Sequence, residues 1–557
     1  MIRDEIKKKI HEALQADGLV EADIILEHPA DWAHGDYATN IALVLEKRSG
    51  KNPRELAGRL AEKLQGNRGE NIEKIEVAGP GFINFYLTKC FFTQSTKEIV
   101  NDAKGFGRNS RLSGKKILVE YTDPNPFKVF HIGHLMTNAI GESLVRLFEY
   151  NGAEVRRANY QGDVGLHVAK AIASKLRSGV VWMTAADIGA SYVQGEELFA
   201  KEPEYVQEIN KKVYDKSNDA VNDAYQEGRT ISLAAFEEIY KLLGTKFDFY
   251  FFESEVAEAG KKIVEEYLKR GVFEKSEGAL IFRGEQYGLH TRVFLTKEGL
   301  PPYEAKDLAL AVRKFSTYPY DQSFVITASE QNAYYAVVCQ AMSFINPELA
   351  HKTIQIGHGM MRVASGKMSS RKGNVVTGES LLRDAIRTAT EKIRDEEMSE
   401  VEKREIAECV GVGALKFAIL KQQTRSDIVY DEDRSFSLEG DSGPYLQYAA
   451  VRAYAVLSKA ANAGIVYSFE KTDEIHDIER LLYQFPEVIE RASLEHEPHH
   501  IATYLIQVAG SFNSFYASQK IIDKGEAAPY RLALTKATCV VLKNGLYVLG
   551  IRLPEKM

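Results

Sequence analysis

The sequence predicts an α/β protein: a doubly wound parallel sheet, preceded by a small α+β domain and followed by an all-α helical bundle. Three observations carry the prediction. An apolar strand-like run, Ile117-Leu118-Val119-Glu120-Tyr121, turns through Pro124-Asn125-Pro126 into a segment of helical period, where Leu135, Ile140, Leu144, Leu147 and Phe148 mark one face. A second strand-like run at 154–160 completes a βαβ unit. From Glu379 to the end, helical period dominates and strand signal nearly vanishes.

Taken in order, residues 1–112 read as the α+β domain. A charged amphipathic helix is expected over roughly 2–16, then a loop over 29–37 and a second helix near 38–48. A third helix, near 53–65, starts after Asn52-Pro53, a capping residue followed by a first-turn proline. Two β-rich runs around Gly79-Pro80-Gly81 predict a hairpin over 75–87. Residues 105–114 look like a linker into a central domain placed at 113–378. Within that domain, the charged helical region at about 165–270 reads as an insertion between two halves of the sheet. The second half, 279–356, offers strands at 279–282, 291–295 and 323–327. The helical bundle takes 379–557.

A chain of 557 residues exceeds what one core sustains, about 250–300 residues, so several domains are expected. Its 45% apolar and 27% charged residues are ordinary for a soluble globular protein. A net charge of −7 does not exclude RNA, because phosphate recognition needs only a local basic stripe. Cys90, Cys339, Cys409 and Cys539 are scattered without zinc spacing, so they read as small apolar residues and no structural metal is expected. The N-terminus lacks a signal-peptide core, and no apolar run approaches the roughly 18 residues that span a bilayer. A cytoplasmic protein without a membrane partner is expected.

Two short strings carry the chemistry. Phe-His-Ile-Gly-His at 130–134 places His131 and His134 on one face of a helix start, where free N–H groups and the positive dipole end favour phosphate. Gly133 lets a nucleotide ring approach the backbone. Gly-Lys-Met-Ser-Ser-Arg-Lys-Gly-Asn at 366–374 supplies the cations Lys367, Arg371 and Lys372 between two glycine hinges, as in a loop closing over a triphosphate. Alone, the first string is an ordinary helix start or the mark of a nucleotidylyltransferase, and the second a solvated basic turn. In this order, they point to ATP and to stabilisation of charge on its α-phosphate, the chemistry by which a carboxylate is activated.

The pair resembles the HIGH and KMSKS signatures of class I aminoacyl-tRNA synthetases, whose catalytic domain is Rossmann-type. His131-Ile132-Gly133-His134 matches the first unchanged. The second departs from the pattern at Ser370, where the family usually has lysine. Arginyl-tRNA synthetases commonly lack that lysine and carry another just before HIGH, and Lys128 falls at that position. The segments at 77–85, 120–131, 159–165, 243–254, 437–448 and 546–557 resemble further stretches of that family, so the resemblance runs end to end.

That resemblance implies an enzyme joining L-arginine to tRNA-Arg at the expense of ATP, with Mg2+ accompanying the ATP phosphates. It also implies activation that requires bound tRNA, and a monomer. His131, His134, Lys128, Lys367 and Arg371 would be catalytic. ATP would also touch Gly133, Gly162, Asp163, His358, Met360, Met361 and Ser369. Arginine would be read by Tyr303 and Asp307, four apart on one helix face, with Glu120 and Glu253 as acidic partners and Asn125 and Gln331 holding its α-amino and carboxylate ends. A permanently charged planar guanidinium suits carboxylates in a fork geometry, and an unpaired buried carboxylate should reject neutral citrulline by several kcal/mol. Read without the family, Asp307 is a surface carboxylate pairing with Arg313 or a nearby lysine. For tRNA, Phe82 and Asn84 would meet the elbow, and Tyr445, Tyr448 and Met557 the anticodon loop. Tyr445 and Tyr448 read equally as core aromatics at i, i+3. The rivals are a class I synthetase for another amino acid and a non-catalytic tRNA-binding paralogue.

Overall fold

The computed structural model describes residues 1–19, 23–46, 50, 52–364, 376–395, 397–470, 474–523 and 525–557. They form two compact units, and neither is continuous in sequence.

The first unit comprises Met1–Phe106, Arg452–Phe485 and Gly510–Val541. The helix Ile2–Gln15 buries Ile2, Ile6, Ile10 and Leu14 along one face. They pack with Leu56, Leu60 and Leu64 of the helix Pro53–Gly66, which Asn52 caps through its Oδ1. Strands β1 (Tyr37–Thr39), β2 (Ile72–Ala78) and β3 (Phe82–Leu87) form an antiparallel sheet in the order β1-β3-β2. The hairpin is therefore present. At the start of the helix expected near 38–48, the backbone at 37–39 instead forms β1 and pairs with β3, and Ile41–Val44 behind it is helical. Downstream helices complete this unit: Tyr483 enters the core, and Arg480 pairs with the fully buried Asp36.

The second unit comprises Gly107–Val451, Pro486–Ala509 and Leu542–Met557. Its centre is a five-stranded sheet of β4 (Lys116–Glu120), β5 (Glu154–Gln161), β6 (Phe249–Phe252), β10 (Gln322–Ala328) and β11 (Thr353–His358). All neighbours are parallel, in the order β11-β10-β4-β5-β6. Leu118, Val119, Phe324, Val325 and Ile326 are buried, as expected of parallel strands covered on both faces. Two strands of this sheet escaped the sequence reading. The run Phe249–Phe252, assigned to the helical insertion, extends the sheet, and β11 forms its other edge. Conversely, β8 (Ala279–Phe282) and β9 (Arg292–Leu295) leave the main sheet and join β7 (Glu274–Ser276) in a small antiparallel one. The short strands β12 (Met361–Val363) and β13 (Ile428–Tyr430) pair in parallel.

The helices Leu166–Ser178, Ala185–Lys201, Pro203–Asp215 and Asp219–Leu243 build their own core around Trp182, Ile172 and Ile209. Strand order reverses between β4 and β10. In an open α/β sheet, the crevice at the carboxyl ends of such a pair is where ligands bind.

Candidate active site

A cavity of about 560 Å³ lies at this switch point. The chain leaves β4 through a tight loop in which Thr122, Asp123 and Phe127 all have positive φ, at 80°, 45° and 67°. Non-glycine residues pay about 1–3 kcal/mol each for such a conformation and hold it only when their surroundings fix it. Here Asn138 donates to Thr122 Oγ1 (3.0 Å), the Tyr160 N–H to Asp123 Oδ1 (2.7 Å), and the Phe127 N–H to Ser232 Oγ (3.1 Å). The loop delivers His131 to the N-cap of the helix Ile132–Tyr150.

The His131 N–H donates to His134 Nδ1 at 3.2 Å, and the two rings stack with centroids 3.4 Å apart. Because Nδ1 accepts, the neutral His134 ring carries its proton on Nε2. Burial lowers both imidazole pKa values, His134 well below the ordinary range, and the nearby Lys128 adds to the effect. The histidines are therefore neutral hydrogen-bond donors at pH 7. Lys128 is half-buried, over the Tyr192 ring at 5.2 Å, and burial lowers its pKa too. A Cβ on Gly133 would sit 3.0 Å from the His131 ring, so this position stays bare to make room for that ring.

Acidic side chains line the same cavity: Glu120, Glu253 and Asp307, with Asn125, Tyr303 and Gln331 beside them. The structure thus brings together the six residues expected to read arginine. It also supplies partners the sequence reading missed. Lys314 pairs with Glu120 at 3.0 Å, and Lys306 with Glu253 at 2.5 Å, all four side chains being buried. Burial depresses the Lys306 ammonium, but Glu253 outweighs it and holds the pKa above the ordinary value. Asp307 instead accepts the Tyr334 hydroxyl at 2.6 Å, not Arg313 or a lysine. Burial raises its pKa to about 7 against the pull of that hydrogen bond. The spacing of Lys306 and Lys314 on the same helix as Asp307 was the available signal for these pairs.

Gly162 also lines the cavity, and its bareness is forced. A Cβ there would lie 2.2 Å from Asn125 Oδ1 and 2.8 Å from Glu253 Oε1. Its neighbour Asp163 differs from expectation. That carboxylate is fully buried, outside the cavity lining, and accepts from Tyr225, Arg229 and both the N–H and hydroxyl of Ser254. With its lone pairs so occupied it braces the start of the helix Glu253–Lys269 rather than facing a nucleotide. His358 does line the cavity. Its Nδ1 bonds the Gly359 carbonyl at 2.6 Å, which leaves Nε2 an acceptor, buried and without a partner among the described residues. Met360 and Met361 do not line it: the Met360 N–H donates to Asp427, and Met361 is a buried residue of β12. Lys367, Ser369, Ser370 and Arg371 lie outside the described residues. Among the described residues, no group of three or more His, Cys, Asp or Glu side chains is placed to hold a metal ion. None of their helices is long and apolar enough to cross a membrane.

The residues expected to meet tRNA divide. Phe82 is 37% exposed at the start of β3, whereas Asn84 is buried within that strand and hydrogen-bonded to Tyr86, so its amide is not presented at the surface. In the second unit, Tyr448 and Met557 line one apolar cavity of about 250 Å³, together with Phe436, Leu438 and Pro444. Tyr445 is half-buried on the same helix but outside that lining.

Comparisons with known proteins agree with this geometry. Residues 96–432 match the family described as tRNA synthetases class I (R), catalytic domain. Residues 446–557 match the DALR anticodon binding domain, and residues 1–87 the arginyl tRNA synthetase N terminal domain. The chain is 32% identical to an arginine–tRNA ligase of Clostridium kluyveri, covering 100% of this chain and 99% of that one. It is 31% identical to an arginine–tRNA ligase of Halothermothrix orenii, covering 96% of each. The solved arginyl-tRNA synthetase of Thermus thermophilus superimposes with a TM-score of 0.81 over 100% of both chains at 24% identity, a likeness of fold. With a parallel sheet, a helix-start histidine pair and an acidic pocket at one switch point, and with matches along its whole length, the chain belongs to the arginyl-tRNA synthetase family of class I synthetases.

Proposed function

We propose that this chain is an arginine–tRNA ligase. One observation carries the reading: Asp307, a half-buried carboxylate without a lysine of its own, shares a cavity with the paired donors His131 and His134. The cavity therefore offers a counter-charge for a guanidinium and hydrogen-bond donors for a phosphate. The arginine carboxylate attacks the α-phosphorus of ATP, the bond to diphosphate breaks, and arginyl-adenylate forms. The 2′-hydroxyl of the terminal adenosine of tRNA-Arg then attacks the arginyl carbonyl, and AMP leaves.

Asp307, Tyr303 and Tyr334 orient the guanidinium, while Asn125 and Gln331 hold the backbone end of arginine. His131, His134 and Lys128 donate to the α-phosphate as charge builds on it. His358 offers its Nε2 acceptor to the adenine amino group. Lys367, Ser369 and Arg371 hold the outgoing phosphates, and Mg2+ accompanies those phosphates without a dedicated protein cage. Phe82 meets the tRNA elbow, and the Tyr448–Met557 cavity takes an anticodon-loop base. The enzyme acts as a cytoplasmic monomer.

An aminoacylation panel over the twenty amino acids with unfractionated tRNA tests the reading. Arginine should be charged at least a thousandfold better than lysine or citrulline, by kcat/KM. Preferred charging of any other amino acid overturns it.

A further inference from the structure

Three consecutive residues just ahead of the HIGH histidines are seated on the helical insertion. Phe127 is fully buried in the insertion's own core, with its ring centroid 5.9 Å from that of Trp182 and 6.1 Å from that of Tyr225. A Cβ on Gly228 would run into the Phe127 ring, so the helix Asp219–Leu243 is bare where that side chain enters. Val129 meets the helix Ala185–Lys201 at Gly189, where a Cβ would lie 3.0 Å from Val129 Cγ1. Between these two anchors, the Lys128 ammonium lies over the ring of Tyr192 on the same helix, 5.2 Å from its centroid.

Gly189, Tyr192 and Glu196 are spaced three and then four residues apart, so they share one helix face. The Tyr192 hydroxyl donates to Glu196 Oε1 at 2.5 Å, and Lys170 Nζ donates to Glu196 Oε2 at 2.6 Å. Lys170 belongs to the helix Leu166–Ser178, which approaches so closely that a Cβ on Gly195 would collide with the Lys170 carbonyl. The tyrosine is thus anchored at its hydroxyl end, with its ring under Lys128. Lys128 lies outside the cavity lining, yet its charge reaches His131 and His134, whose pKa values it helps burial to lower. Burial pulls its own pKa down, Glu196 and Glu253 oppose that, and the like charge of Lys170 adds to it. A ring face attracts the ammonium and not the neutral amine, so Tyr192 favours the form that can serve a phosphate.

We propose that Tyr192, braced by Glu196, is a positioning residue through which the helical insertion holds the Lys128 ammonium beside His131 and His134 for the α-phosphate. The inference rests on the reading of Lys128 as a donor to that phosphate. A lysine on its flexible four-carbon stem otherwise spreads over many rotamers, most of them turned to water. Confinement between the ring and the histidines removes that freedom before the reaction, so less of it is lost in the transition state. Phe127 and Val129 fix the backbone on either side, and Tyr192 fixes the charge.

The test follows single-turnover formation of arginyl-adenylate by the full-length enzyme, with tRNA-Arg present and ATP varied. Tyr192→Leu is expected to lower the maximal rate about tenfold while the apparent ATP affinity stays within about threefold of the parent. Tyr192→Phe keeps the ring face and should recover to within about threefold of the parent rate. Tyr192→Met fills the space without a ring and serves if the leucine variant folds poorly. Lys128→Met should lower the rate at least as far as Tyr192→Leu. Adding Tyr192→Leu to Lys128→Met should then cost less than about twofold more, because the ring has no ammonium left to hold. Ring-less variants within about twofold of the parent, a phenylalanine variant as slow as leucine, or losses that multiply in the double variant overturn the proposal and leave the role of Lys128 standing. A Lys128→Met rate equal to the parent's removes that role, and the proposal with it.

Discussion

Tyr334 donates its hydroxyl hydrogen to Asp307 at 2.6 Å, and that bond separates Asp307 from the other two carboxylates expected to read arginine. Glu120 and Glu253 already hold Lys314 and Lys306. Asp307 is left with a phenol, which steers a carboxylate without neutralising it. A guanidinium entering the cavity therefore has one uncommitted anion to meet among these three.

The first prediction concerns that pair. Asp307→Asn removes the charge and keeps the shape, so arginine loses a buried ion pair while ATP does not. Breaking such a pair costs about 3–5 kcal/mol, a loss of roughly two to four orders of magnitude in kcat/KM for arginine. Tyr334→Phe removes one hydrogen bond to a charged group, about 1.5–3 kcal/mol, or roughly ten- to a hundredfold. Steady-state charging at varied arginine and varied ATP separates the effects. An ATP KM that rises as steeply as the arginine KM would remove Asp307 from the arginine pocket.

The second prediction follows from burial. The free pocket holds Asp307 near a pKa of about 7, well above its ordinary 3.8. For this group, the folded pKa is raised, so its neutral form is favoured below about 7 and the ionised form carries a burial penalty above it. Arginine needs the ionised form. Affinity should thus be near its plateau above pH 8 and fall about tenfold per unit below pH 6.5, with proton release on binding. Calorimetric titration at pH 6.5 in buffers of different ionisation enthalpy measures that release directly. Asp307→Asn should abolish it; a release that survives the substitution assigns the proton to another group.

These two predictions also mark where sequence reading stops. The strand 116–120, the helix after His131 and the gathering in one cavity of the six residues expected to read arginine were legible because strand and helix periods and a family motif coincide there. Lys306 and Lys314 stand on the same helix and were not read, since a lysine in a helix is usually solvated and only tertiary packing buries these two. Asp163 was misread for a related reason. A motif position gives proximity to a site, but the direction of its side chain depends on Tyr225, Arg229 and Ser254, which lie 62 or more residues away. The strand 249–252 was hidden inside a helical stretch because its pairing with β5 is non-local.

A third prediction lies in the first unit. Asp36 is fully buried, with Oδ2 accepting the Leu87 N–H at 2.8 Å and Oδ1 paired with Arg480. Burial raises its pKa, against the pull of Leu87 and Arg480. Arg480→Ala leaves a buried carboxylate without its cation and should destabilise this unit by about 3–5 kcal/mol at pH 8. Because the folded pKa lies above the unfolded one, protonation relieves the penalty, and the deficit should shrink as pH falls from 8 to 5. Asp36→Asn in the same background should restore part of the loss. Urea denaturation followed by hydrogen exchange of the Leu87 amide reports on this unit, and a deficit that grows on acidification contradicts the argument.

The fourth prediction separates two ways in which His134 can serve. As a cation it would lose its effect above its pKa; as a neutral donor it would not. Burial holds that pKa well below the ordinary value, and Nδ1 is occupied by the His131 N–H, so the Nε2 hydrogen is the one left to donate. Removing one such preorganised donor costs roughly 10²–10³ in rate. His134→Ala should therefore lower kcat for arginyl-adenylate formation by that amount, with the tRNA Kd unmoved. His134→Gln places an amide N–H close to the lost Nε2–H and should recover about tenfold. For the parent enzyme, the kcat of this step should stay flat between pH 6.5 and 8.5, because neither histidine changes charge in that range. A rate that climbs on acidification toward pH 6, and a glutamine variant no better than alanine, would show that the ring acts through a positive charge instead.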